Sequence, residues 1–184
     1  MHFTAPESGF VARPWMAIRR PIETADVFHE SDFRMFTPAL MLLILSAPLA
    51  LQRLLRRGDV RSAAAWGAGL LFLFTASGHF LQTEPMARML PAWVPAREAL
   101  VLATGVLEIA IGVAFFFERS RRPAAWSAIA VLVLFFPANV FAAIERVPFG
   151  GHAWGPVYLL VRFPLQVAIV AWIWFLVLGR RRLS

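Results

Sequence analysis

No cysteine and no lysine occur anywhere in this 184-residue chain. The first absence excludes disulfides, thiol–disulfide exchange, iron–sulfur clusters and thiolate metal sites together. It does not identify the compartment. The second absence means that the net charge of +7 rests on arginine alone. A basic chain suggests nucleic acid as a partner. Here, though, the arginines gather at the ends of apolar runs, where membrane topology places them. Arginine without lysine reads as a genome-composition bias, and no nucleic-acid partner is expected. Other signatures are missing too. There is no Gly-rich phosphate loop, no Ser-His-Asp order, no carboxylate cluster that would hold a metal and no internal repeat. Residues 1–35 carry no signal-peptide pattern, because the first apolar run starts late and no small-residue cleavage site follows it.

What the chain does have is apolar residues, at 59% of the whole, against roughly 45–50% in soluble proteins. They fall into five runs, at about 36–54, 63–82, 98–117, 124–145 and 157–178, most of them near the ~20 residues needed to cross a bilayer. The expected fold class is therefore an all-α membrane protein in a single unit. It is a compact bundle of four core transmembrane helices with an additional N-terminal one, five in total, spanning residues 36–184. Residues 1–35, with four arginines against five acids, are expected to form an interfacial or partly ordered tail. Trp93, Trp126, Trp172 and Trp174 suit the aromatic belts at the two membrane faces.

Loop arginines orient the bundle. Arg53, Arg56, Arg57 and Arg61 follow run one, Arg119, Arg121 and Arg122 follow run three, and Arg180, Arg181 and Arg182 close the chain. The alternate loops hold only Arg88, Arg97 and Arg146. The positive-inside rule places the C-terminus in the cytoplasm and the N-terminus outside, with a bacterial inner membrane as the expected location.

Polar residues inside the runs are expensive in lipid and mark candidate sites. His79 and Gln82 end run two at i, i+3 spacing, which puts both on one helix face. Glu108 lies midway along run three, on the face that carries Thr104, Gly105 and Gly112. Pro137 and Asn139 interrupt run four within LFFPANVFAAIER, residues 134–146. Arg162 and Gln166, at i, i+4, flank Pro164 in run five. His79, Gln82, Asn139, Arg162 and Gln166 share the outer level, and Glu108 lies below them. They suggest a polar pocket under the proline-stiffened connector TEPMARMLPAWVPAR. Within it Glu108 is expected either to pair with Arg162 or to stay protonated as a donor or relay. His79 is expected to cap a helix end, or to meet a quinone-type carbonyl. Pro137 reads as a kink whose freed carbonyl a neighbour or Asn139 satisfies. No metal and no intrinsic cofactor are expected, and a quinone is the lipid-soluble molecule that such a pocket suits.

The ordered set Gly78-His79-Phe80, Pro85, Met89, Pro91, Trp93-Val94-Pro95, Thr104-Gly105, Glu108, Gly112, Phe136-Pro137-Ala138-Asn139-Val140 and Arg162-Phe163-Pro164-Leu165-Gln166 resembles the DoxX-like membrane proteins over about residues 66–175. The resemblance implies a small bundle usually described with four membrane helices, so run one and the tail are additions here. It also implies association with membrane redox metabolism, as in subunits linked to thiosulfate–quinone oxidoreductase. No residue-by-residue catalytic role follows from it, and whether the chain is an enzyme stays open. The expected function is a redox-associated membrane subunit binding a quinone or similar molecule. The alternative is a non-catalytic accessory subunit of a larger respiratory or photosynthetic complex. Either way the lipid bilayer and other membrane proteins are the partners.

Overall fold

A computed structural model of the protein describes residues 24–56 and 58–179, with side chains from residue 37 onward. Six α-helices make up most of it: α1 Thr24–Leu55, α2 Val60–Leu81, a short α3 Thr83–Ala87, α4 Arg97–Ala114, α5 Arg121–Ile144 and α6 Leu159–Trp172. A 3₁₀ turn, His152–Tyr158, leads into α6, and a π-helical end, Ile173–Leu178, follows it. No strand occurs among the described residues. The all-helical class expected from the sequence is therefore present.

Each apolar run becomes a helix, with informative differences at the ends. The first helix begins at Thr24 and continues without a break into run one, so part of the expected tail belongs to α1; residues 1–23 lie outside the described residues. Helix α2 starts where the Asp59 carboxylate accepts the Ser62 backbone N–H at 3.2 Å, an N-cap that satisfies one of the orphan donors of the first turn. Run three ends earlier than expected, at Ala114, and Phe115–Phe117 turn toward α5.

Four helical stretches are long and apolar enough to cross a membrane: Thr37–Leu55, Val60–Leu81, Arg121–Ile144 and His152–Leu178. Helix α4 is not among them. Its 18 residues carry Arg97, Glu98 and Glu108.

Helix α2 is the central element, and small residues explain why. A Cβ at Gly67 would collide with the Leu45 carbonyl of α1. A Cβ at Gly69 would stand 2.8 Å from the Gly112 carbonyl of α4, and one at Gly112 would stand 3.0 Å from that of Gly69. Small residues at a helix interface let the two backbones touch. Ala64, Ala65, Ala68 and Ala76 continue this fully buried strip along α2. The core around it joins Leu45 of α1, Phe72, Phe115, Val131 of α5, Ile169 and Ile173.

The two ends of the bundle are tied differently. At one end Arg121, buried at the start of α5, donates from Nε to the Phe115 carbonyl at 3.1 Å and from Nη1 to Ser62 Oγ at 2.8 Å. The Trp172 indole N–H donates to the Ala64 carbonyl at 3.1 Å. At the other end the α2–α4 connector packs on the α5–α6 turn through Met89, Ala142, Val147 and Phe149. The candidate site lies toward this second end.

Candidate functional site: a buried histidine–carboxylate pair

His79 occupies the last turn of α2, and Glu108 lies on the buried face of α4 with Val101, Gly105, Ile111 and Gly112. That face repeats at three- and four-residue steps, so one side of α4 meets α2 along its length. The approach is close because residue 105 is glycine. A Cβ there would stand 2.7 Å from the His79 Cβ and 3.0 Å from the Phe80 ring. His79 and Glu108 are each only 7% exposed.

His79 Nε2 stands 3.5 Å from Glu108 Oε1. The Thr75 hydroxyl, one turn before His79, donates to Glu108 Oε2 at 2.8 Å. On the far side of the ring, Nδ1 lies 2.9 Å from the Val101 carbonyl and 3.0 Å from Thr104 Oγ1. The Thr104 hydroxyl itself donates to the Val101 carbonyl at 2.7 Å.

These contacts assign the protons. A carbonyl oxygen can only accept, so Nδ1 must carry a hydrogen to approach it at 2.9 Å. Thr104 has spent its own hydrogen on that carbonyl, and its oxygen accepts a second share of the Nδ1 hydrogen. Nε2 of a neutral ring then presents a lone pair to Glu108. A lone pair facing an ionised carboxylate is repulsive, and one proton between them removes the repulsion. With the proton on Glu108 the pair is neutral; with it on His79 the pair is imidazolium and carboxylate. In both states the pair holds one proton and has no net charge, the arrangement that burial favours.

Of the six residues that the sequence singles out, only His79 and Glu108 meet. Glu108 does not pair with Arg162 among the described residues; its oxygens face His79 and Thr75 instead. Arg162 is half-buried on α6 and forms no ion pair or hydrogen bond among the described residues. Gln82 is exposed and does not share a face with His79: α2 stops at Leu81, and Gln82 leaves the helix at φ −129°. Buried Asn139 donates to the Phe135 carbonyl of its own helix at 3.0 Å, rather than to Val133, whose carbonyl Pro137 frees, or across the bundle. Gln166 does reach across, donating to the Leu132 carbonyl of α5 at 2.9 Å, one residue before the freed one. The expected six-residue pocket is thus a compact pair with separate satellites.

A concavity of about 690 Å³ does lie at the connector, lined by Glu84, Arg88, Val94, Arg97 and Glu98 among others. His79 and Glu108 do not line it. Sequence reasoning passed over Thr75 as a ligand of Glu108. The available signal was its position four residues before His79, on the same face of α2.

Fold and site together define an all-helical protein, with helices apolar enough for a membrane, whose core holds a buried His–Glu pair. The chain belongs to the family described as a domain of unknown function (DUF8561), whose model matches residues 68–177. That stretch contains both members of the pair and both threonines. No curated protein and no solved structure matches the chain.

Proposed function

We propose that this protein is a helical bundle of the bacterial inner membrane and a redox-associated subunit, with the His79–Glu108 pair as its protonatable centre serving a quinone or similar lipid-soluble molecule. The observation that carries this reading is a titratable pair in the core of helices whose outward residues are apolar. Leu134, Leu160 and Phe175 are each more than 70% exposed, and such surface suits lipid rather than water. Helix α4 is the fifth crossing helix in this reading, since Arg97 and Glu98 stand in its first turn and Glu108 is paired. Quinone chemistry couples electrons to protons, and a pair that holds one proton without net charge can give it up or take it back. The resemblance to DoxX-like proteins supports the same reading. Electrons would come from a partner subunit, and the arginine distribution supports a cytoplasmic C-terminus with the N-terminus outside.

One observation favours a second reading, a non-catalytic accessory subunit. Both members of the pair are satisfied within the chain and nearly closed to solvent, as an interhelical lock would be.

Purification from native membranes in mild detergent, with lipid extraction, separates the two. A copurifying quinone that disappears in His79→Ala and Glu108→Ala, with the fold intact, supports the first reading. A protein that carries no quinone but copurifies with a large complex sinks it and supports the second.

A further inference from the structure

The turn between α5 and α6 closes around one buried imidazole. His152, at the start of the 3₁₀ turn, is 3% exposed and packs edge-on against Tyr158 at 4.8 Å between ring centres. A carbonyl can only accept, so Nδ1 carries the hydrogen that meets the Phe149 carbonyl at 2.8 Å. Nε2 is buried and has no hydrogen-bond partner among the described residues. On a neutral ring that atom is a lone pair. A second proton would make it an N–H donor on a positively charged ring, with no acceptor to meet it, and burial penalises both.

The groups around the ring do not relieve that penalty. Arg162 of α6 acts on the ring with the sign that a protonated imidazole would carry. Arg146, just past α5, lies across the turn, its Nε 3.2 Å from where a Cβ on Gly155 would stand. Tyr158 presents its ring. No acid supplies a counter-charge: Glu108 and Glu84 are paired with His79 and Arg88, Glu145 is exposed at the end of α5, and Arg97 and Glu98 line the connector concavity. The Phe149 carbonyl also receives the His152 backbone N–H at 3.0 Å, so both bonds of His152 close the turn on one acceptor. The Phe149 side chain packs in turn against the cluster that includes Met89 of the α2–α4 connector.

We propose that this turn is an acid-released latch on the α2–α4 connector: a neutral His152 holds it shut, and a second proton on the ring opens it. Opening carries the imidazolium into water, takes His152 off the Phe149 carbonyl and loosens the seat of Phe149 on Met89. The sign follows from linkage. A histidine in water titrates at about 6.5, and only the open turn accommodates the added proton. The closed turn is therefore at full strength above that pH and loses ground as pH falls through it, by about thirtyfold at pH 5. The latch is separate from the His79–Glu108 pair and does not rest on the role proposed for that pair.

The test is amide hydrogen exchange on the full chain in phosphatidylcholine nanodiscs at pH 7.5 and pH 5, with times scaled for the intrinsic acidity dependence of exchange. The reporters are the turn amides of Val147, His152 and Trp154, bonded to the carbonyls of Ala142, Phe149 and Gly151. Their exchange is expected to quicken about thirtyfold at the lower pH, while amides near the Arg121 end of α5 keep one rate. His152→Asn retains a side-chain N–H for the Phe149 carbonyl but does not titrate, and it should remain slow at both values. If that variant fails to fold, His152→Phe takes its place and should show one rate at both values, whatever that rate is. His79→Ala should keep the full wild-type acceleration. A wild-type turn that exchanges equally at the two values overturns the proposal. So does an acceleration that survives loss of the His152 imidazole, or one that disappears in His79→Ala.

Discussion

One proton separates the two states open to His79 and Glu108, and Thr75 and Thr104 hold the partners in place for it. Removing either partner strands the other in an apolar core. His79→Ala is expected to lower stability by about 1–3 kcal/mol, the cost of leaving a buried polar group unsatisfied, read as a shift in the detergent-solubilised unfolding midpoint. Glu108→Gln keeps the size of the side chain and the Thr75 contact but removes the ionisable carboxyl. It should cost less than the histidine change and should remove the band of the buried carboxyl from protonation-difference infrared spectra while leaving those of the other ten acids. An unchanged spectrum would show that Glu108 contributes no such band. Gly105 tests the geometry more directly. A Cβ at 2.7 Å from His79 has no room, so Gly105→Ala should cost about 1–3 kcal/mol by overpacking and weaken the pair by pushing directly on His79. Much of this was legible beforehand. His79, Glu108, Thr104 and Gly105 stand out in the sequence because polar and small residues in apolar runs demand a reason. Their pairing was not legible. Arg162 is the more obvious counter-charge for a glutamate, and only the depth at which α2 and α4 cross decides for histidine.

Among the elements, α5 and α6 show how a helix that contains proline is held in apolar surroundings. Pro137 removes the N–H that would bond the Val133 carbonyl. Gln166 from α6 supplies a donor one residue away, at Leu132. Gln166→Leu is expected to destabilise by about 0.5–1.5 kcal/mol, the usual net worth of one such bond. Pro137→Ala restores the missing donor and should recover part of that loss in the double variant. Purely additive effects, measured in the same unfolding assay, would argue against coupling between the kink and the glutamine. The sequence marked the gap in the helix ladder, since proline has no backbone N–H to donate. Which side chain reaches this stretch from another helix was hidden: Asn139 is closer in sequence, yet its short side chain reaches only back along its own helix to Phe135. Helix ends were equally obscure. Gln82 follows His79 at helical spacing, but α2 stops one residue short of it, and nothing in the apolar pattern marks that stop.

For the molecule as a whole, the arginine distribution and the absence of native cysteine combine into a direct experiment. Single cysteines placed at Ala92, in the α2–α4 connector, and at Glu118, between α4 and α5, each stand alone in an otherwise thiol-free chain. A membrane-impermeant maleimide applied to intact cells should label residue 92 and leave residue 118 unlabelled until the membrane is opened. Labelling of both from one side would remove α4 from the set of crossing helices. The reverse pattern would invert the orientation.

The Arg121 tie and the His79–Glu108 tie stand toward opposite ends of the same helices, and they respond to different variables. A guanidinium keeps its charge throughout the physiological range, so the contacts it makes with Phe115 and Ser62 are indifferent to acidity. The histidine–carboxylate tie exists only while a proton is shared. Losing that proton would remove the His79–Glu108 contact alone, while the Thr75–Glu108 and His79–Val101 bonds and the Gly69–Gly112 approach keep α2 against α4. Sensitivity to acidity is thus confined to one end of the bundle, and the opposite end is fastened by a charge that does not change.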